Sequence, residues 1–256
     1  MKESANKSQG TNNVIRQDIT VGDLVVRYPQ LRLKLEQLGI DYCCGGKKPL
    51  IEASEAAGQP WPAVETALNA ALTKQPESDA TDWSRAPLSE LVDHIVDSHH
   101  AFMKEQLPRL DGLLEKVQNA HGDRHGDMLA PLRQAYSSIR AELEAHLMKE
   151  EEILFPAIKA NETFLTNGGT KPVSHCGSIQ NPIRQMELEH DAAGDELAEM
   201  RRLTDGYQLP ADACPTFAAL YEGLANMEAD LHEHIHLENN ILFPKSVAQE
   251  AEMANR

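Results

Sequence analysis

No stretch of this 256-residue sequence approaches the ~18 consecutive apolar residues that a membrane-spanning helix needs. The first 13 residues, MKESANKSQGTNN, lack the apolar core of a secretory signal, which sets the expectation of a cytoplasmic protein. Positive charge is short: 24 Lys and Arg stand against 40 Asp and Glu, a formal net charge of −16. A surface this acidic repels phosphate backbones, so nucleic acid and anionic membranes are poor partners. Cysteine is scarce too. Four cysteines, two of them adjacent, make no disulfide framework for a chain this long and fit a reducing compartment. Strand-like alternation is almost absent. What is present is 41% hydrophobic residues, enough for a core, and a length that allows about two domains at the usual ~100–200 residues each. There are also 11 His, several of them four residues from a Glu.

Residues 1–16 are polar and aperiodic and read as a loose tail. Over 17–74 short helical patterns alternate with turn residues. Thr20 suits a helix N-cap, and the stripe Leu31, Leu35, Leu38 ends at Gly39, a good C-cap. The loop DYCCGGKK follows, then helices of the LIEASEAAG and PAVETALNAAL type. Residues 75–86 read as a linker. Beyond Pro87 the patterns lengthen into four amphipathic helices, about 87–118, 128–160, 182–203 and 214–250. A Gly/Ser/Asn-rich loop with His175 and Cys176 occupies 161–181. The expected fold is all-α: a small N-terminal helical domain, then a four-helix bundle over 87–250.

An internal repeat locates the chemistry. HLMKEEEILFP at 146–156 and HIHLENNILFP at 234–244 match at a constant offset of 88 residues. In each, a His and a Glu four apart stand one turn above each other on a helix. On the last helix Phe217, Leu220, Leu224, Met227, Leu231, His234, Glu238 and Ile241 form one buried line. His232 and His236 lie instead on the row of Tyr221, Ala225 and Glu228, which is mostly polar, so they are expected at the surface or its edge. The second helix has the equivalent line Leu132, Ile139, Leu143, His146, Glu150 and Ile153. The third offers Ile183, Met186, His190, Leu197 and Met200. The first offers Val96, His100, Met103, Leu107, Leu110 and Leu114, with His99 as the competitor on the stripe Leu88, Leu91, Ile95, Phe102.

A lone core histidine is most often a hydrogen-bonded structural residue. Four helices that each bring one His inward, two of them adding a Glu, are another matter. Buried carboxylates need a compensating charge, and a metal cluster supplies it. Imidazole and carboxylate without an inward thiolate suit iron, manganese or zinc. Two carboxylates placed to bridge suit two metals, and redox-capable iron fits better than zinc, which needs only four ligands.

The bundle resembles a hemerythrin-like (HHE) domain, and GIDYCCGGK resembles the small domain that precedes this bundle in the repair-of-iron-centres (RIC) family. The resemblance covers roughly 17–247. It implies two non-haem iron ions (Fe2+/Fe3+), oxo- or hydroxo-bridged, held by His100, His146, Glu150, His190, His234 and Glu238. It implies repair of iron–sulfur clusters damaged by nitrosative and oxidative stress, by iron donation or nitric oxide removal. The partners would be damaged iron–sulfur proteins and the gases nitric oxide and oxygen, and a homodimer stays open. Two acidic residues treated as functional in the family match Glu142 and Glu189. A nitric oxide reductase turning over at the di-iron site, or an oxygen or nitric oxide sensor, are the alternatives. Reversible oxygen carriage fits less well, because hemerythrins that carry oxygen use a fifth histidine this pattern does not supply. His94 and His99 are spare candidates; His121 would lie about 30 Å along the helix from His100. The 161–181 loop is long for the family.

Cys43 and Cys44 sit between Tyr42 and Gly-Gly-Lys-Lys, a setting expected to lower a thiol pKa and favour exchange or iron handling. Adjacent cysteines rarely close an unstrained disulfide with each other. Cys176 and Cys214 show no partner pattern and read as structural or incidental.

Overall fold

The computed structural model describes residues 15–73, 81–173 and 176–255. His175, residues 1–14 of the expected tail and residues 75–80 of the expected linker lie outside them. Among the described residues there is no strand, only an isolated bridge between Thr20 and Pro49. No helix among them is long and apolar enough to cross a membrane. The chain divides into two compact units between Ala80 and Thr81.

In the first unit, α1 (Val21–Arg27) is capped by the Thr20 hydroxyl, which accepts from the Asp23 N–H at 3.1 Å. Next come α2 (Arg32–Gln37), α3 (Leu50–Ala56) and α4 (Trp61–Leu72). Leu24, Val25, Leu31, Leu35, Leu50, Val64 and Leu68 are buried together. The chain leaves α2 through Gly39 at φ +69°, a left-handed conformation that glycine adopts without steric cost. The cysteine loop is organised by Asp41. Its carboxylate accepts from the N–H groups of Cys43, Cys44 and Gly45 at 2.9, 3.0 and 2.7 Å. A Cβ at Gly45 would come within 3.0 Å of that carboxylate, so the loop wants a glycine there.

The second unit is the bundle. Its first helix is α5 (Leu88–His94), a π-helical turn over Ile95–His100, and the first limb of α6 (Ala101–Lys149). A single non-helical residue, His125 (φ −120°, ψ 16°), breaks α6. The second limb then runs back along the first, as three bonds show. Gln118 donates to the Leu129 carbonyl at 3.2 Å, Arg133 to that of Asp111 at 3.1 Å, and Tyr136 to that of Leu107 at 2.5 Å. The expected loop between the first two helices is therefore little more than one residue. A second π-turn, Glu150–Leu154, leads into α7 (Phe155–Asn167). The third helix is α8 (Gln180–Leu203). The fourth is α9 (Pro215–Leu237), a π-turn over Glu238–Leu242, and α10 (Phe243–Ala254).

Helix α7 continues to Asn167, so the long connection starts at Gly168, later than the expected 161. Residues 81–86 also differ from a plain linker. Lys245 donates to the carbonyls of Ser84 and Ala86 at 2.8 and 3.2 Å, and Trp83 stacks on His94, which ties this segment to the bundle.

Each π-turn inserts one residue into the helical ladder and moves the buried stripe by one position. On the first helix Leu88, Leu91 and Ile95 are buried before the turn, and Met103, Leu107 and Leu110 after it. The two competing stripes are thus both real, one on each side, and His99 and His100 are both buried where they meet. On the second helix Ile153, expected in the buried line, is 51% exposed, and Leu154 replaces it at 1%.

Candidate metal centre

All three π-turns among the described residues lie where the inward His and Glu residues stand. His100 ends the first, Glu150 opens the second and Glu238 opens the third. π-Turns within α-helices are frequent at functional sites, because the widened turn re-aims a side chain. The six residues expected to hold metal come together at one level of the bundle, all of them buried. They form two donor sets, His100, Glu150, His234 and Glu238, and His146, Glu150, His190 and Glu238, so both carboxylates belong to both sets.

Within the first set, His100 Nε2 lies 3.3 Å from Glu150 Oε2, and His234 Nε2 lies 3.1 Å from Glu238 Oε1. Within the second, His146 Nε2 is 3.4 Å from Glu150 Oε2, and His190 Nε2 is 3.1 Å from Glu238 Oε2. The two Nε2 atoms of His146 and His190 face each other at 3.1 Å.

Three of the imidazoles have their other nitrogen held. His100 Nδ1 bonds Glu151 at 2.7 Å, His146 Nδ1 bonds Glu189 at 2.8 Å, and His190 Nδ1 bonds Asn239 at 2.9 Å. An ionised carboxylate only accepts, so at the first two rings Nδ1 carries the hydrogen and Nε2 keeps its lone pair. Lys104 donates to Glu151 and Lys149 to Glu189. Despite the cost of burial, these donors hold both carboxylates below the ordinary range. His234 differs. Its Nδ1 is buried without a hydrogen-bond partner, and His99 stacks face to face on it at 5.7 Å.

The inward atoms fit a cation and little else. Both oxygens of Glu150 and of Glu238, with Nε2 of His100 and His234, are buried without hydrogen-bond partners. Burial and the adjacent Glu238 carboxylate push the Glu150 pKa well up, because two negative charges cannot share this space uncompensated. Burial and the neighbouring His234 push His100 down to about 4; burial and His190 do the same to His146. Neutral imidazoles beside carboxylates that no proton donor satisfies are what a metal requires.

His99 is buried, but outside both donor sets; its Nδ1 bonds Asp230 at 3.0 Å. His94 stacks on Trp83 and is also outside. His236, expected at the surface, is buried, and His232 is half-buried. That row looked polar because it carries Glu228, yet Glu228 is buried. Arg201 and Tyr207, from a separate part of the chain, bond it at 2.8 and 2.7 Å. Glu189 orients His146, while Glu142 is exposed one turn away and bonds none of the six. Sequence reading missed Glu151, Asn239, Lys104 and Lys149. The repeat held a signal for the first two, which occupy the same position in its two copies. A cavity of about 340 Å³, lined by Lys104, Leu107, Pro108, Leu147 and Glu151 among others, opens beside the Glu151–His100 pair.

In the first unit, Asp41, Cys43 and Cys44 form a smaller donor group. The Cys43 thiol is not the expected thiolate. The adjacent Cys44, burial and the Asp41 carboxylate all push its pKa up, and the two lysines do not offset them.

The bundle and its buried donors define a cation-binding helical protein with a small helical domain in front. The family model described as the hemerythrin HHE cation binding domain matches residues 91–246, and one described as a domain of unknown function matches 17–72. A probable iron-sulfur cluster repair protein from Haemophilus influenzae is 38% identical over 225 residues, 88% of this chain and 95% of the relative. The iron-sulfur cluster repair protein YtfE of Yersinia pseudotuberculosis is 37% identical over 231 residues, 90% of this chain and 97% of its own. That of Musicola paradisiaca is 38% identical over 236 residues, covering 91% and 97%. The chain belongs to the hemerythrin HHE family, in the two-domain group that these relatives represent.

Proposed function

We propose that this chain is a di-iron protein that restores iron–sulfur clusters damaged by nitric oxide or oxidants. The observation that carries the reading is the pair of four-donor sets that share Glu150 and Glu238. Two carboxylates between two pairs of imidazoles suit two ions of the iron class, as in other bundle-core carboxylate sites. The iron pair, when bound, supplies redox chemistry and exchangeable coordination positions. The names of the relatives support damaged iron–sulfur proteins as the partners.

The chain's own residues have separable roles in this reading. His100, His146, His190 and His234 present nitrogen lone pairs, and Glu150 and Glu238 supply the charge that balances the ions. Glu151 and Glu189 fix the tautomers of His100 and His146. Glu151 also lines the cavity, so it stands between the buried His100 and that opening. Glu142, exposed one turn before His146, offers a departing ion an oxygen at the surface. Cys43 and Cys44 serve exchange or delivery.

The test uses the iron-loaded full chain and an iron–sulfur acceptor stripped of its cluster iron. We expect about two irons per chain by elemental analysis, the number of donor sets, and iron transfer matched to cluster recovery. One tightly held zinc per chain would overturn the di-iron reading. Continuous nitrous oxide production without iron transfer would replace repair by reduction. Tight gas binding with neither activity would make the protein a sensor.

A further inference from the structure

At the far end of the bundle a second group of metal-ligating side chains is assembled from three parts of the chain. His121 and His125 stand one turn apart where the first limb of α6 ends at the break. Asp212 belongs to the connection that leads into α9, and Cys214 is the N-cap residue of α9. His125 Nε2 bonds Asp212 Oδ1 at 2.9 Å, and Arg124 holds Asp212 Oδ2, also at 2.9 Å. The Cys214 thiol stands beside the His121 ring. Both rings rest on Phe217, at 5.2 and 5.9 Å between centroids, and Phe217 is fully buried. The donor atoms of His121, His125 and Asp212 all lie within 4.8 Å of one another; Cys214 stands next to this group rather than within that limit. A tetrahedral ion with bonds of about 2.0–2.3 Å holds its ligands roughly 3.5 Å apart, so small side-chain rotations close the gap.

We propose that His121, His125, Asp212 and Cys214 form a second cation site that takes one divalent transition-metal ion of the zinc and ferrous class. It is separate from the bundle-centre donors: 21 residues of helix, about 30 Å, lie between His100 and His121. Two imidazoles, a carboxylate and a thiolate make the mixed nitrogen, oxygen and sulfur set that such borderline ions prefer over magnesium or calcium. The thiol stands at the N-cap of α9, two residues from Asp212. On binding, the thiol proton leaves to solvent, the His125 ring gives up its Nε2 hydrogen to solvent and takes one at Nδ1, and the His125–Asp212 hydrogen bond gives way to two metal–ligand bonds. Arg124 stays on the outer oxygen of Asp212 and orients it. The ion ties the start of α9 to the turn between the limbs of α6, closing the end of the bundle. The proposal does not depend on the identity of the central metal.

The test is a cobalt titration of the full chain with Cys43, Cys44 and Cys176 replaced by Ser, which leaves Cys214 as the single thiol. We expect a thiolate-to-cobalt absorption band that saturates at one ion per chain. The bundle centre contributes nothing to that band, because it has no sulfur donor. Adding Cys214→Ser abolishes the band and lowers bound cobalt by one ion per chain. His121→Ala and His125→Ala each weaken the band's cobalt affinity at least tenfold. Circular dichroism checks the helix content of each variant. If a histidine variant unfolds, Cys214→Ser, which exchanges a single atom, decides. No band under excess cobalt, or a band indifferent to both histidine variants, overturns the proposal.

Discussion

A histidine offers one nitrogen to a metal reliably only when the other is held, and the four central rings differ in how that is done. Glu151, Glu189 and Asn239 hold three of them, and His234 instead lies against the face of His99. Glu151→Gln and Glu189→Gln should therefore each weaken metal binding by about 10–100-fold, measured by competition with a chelator. His234→Ala should lose metal outright, and His232→Ala should keep it, since His232 stands outside both donor sets. Equal affinity in all four variants would mean that the donor sets are wrong. A second expectation concerns protons. Burial and Glu238 raise the Glu150 pKa well above the usual range, so a proton competes with metal for the Glu150 carboxylate. His100 and His146, pushed down to about 4, carry no charge near neutral pH. Loading metal must then release protons as pH is lowered, and apparent affinity must rise with pH. Titration in weak buffer with a pH indicator measures the release; proton-neutral loading would contradict the assignment of Glu150.

At the scale of elements, the 88-residue repeat extends beyond the motifs that first showed it. The π-turns at Glu150–Leu154 and Glu238–Leu242 are in register, and so are two capping carboxylates. Glu162 accepts from the Leu88 and Ser89 N–H groups at the start of α5, at 2.7 and 2.8 Å. Glu250 does the same for Ile179, just before α8, at 2.8 Å. Each half of the bundle thus closes the helix start that its partner helix leaves open. The π-turns are why Ile153 and Leu154 exchanged places. The run Ile-Leu-Phe is apolar at three successive positions, so its pattern cannot say which one faces in, and a straight 3.6-residue period chooses wrongly past the turn. The stripes before and after each turn were legible, which is why the four helices and the six inward residues could be read directly. Buried Glu228 and His236 were not legible, because their surroundings come from residues distant in sequence. Leu154→Ala should cost about 2–5 kcal/mol in denaturant unfolding, as a buried leucine does, while the exposed Ile153→Ala stays within about 0.5 kcal/mol. The opposite order would put the π-turn in the wrong place.

At the scale of the whole molecule, the chemistry is divided between two units that each have a core of their own. All six central donors and the residues that orient them lie in the second unit, so residues 81–256 alone should fold and bind metal. Helix content and metal stoichiometry of that fragment check this. The first unit holds the paired thiols, and its loop is fixed by Asp41 through three backbone N–H groups. With its pKa raised, Cys43 is a protonated, buried thiol at neutral pH, and Cys44 beside it is the more accessible sulfur. A loop built that firmly keeps its shape when sulfur becomes oxygen, since none of those three backbone bonds uses a thiol. Changing Cys43 and Cys44 to Ser in the full chain should leave the bound metal unchanged and lower the rate at which damaged clusters recover. Loss of activity with metal retained would assign delivery or exchange to the thiols rather than to packing. Recovery at the normal rate would make the cysteine loop purely structural. Loss of metal as well would mean that the loop contributes to the central site, whose two donor sets are drawn from the second unit alone.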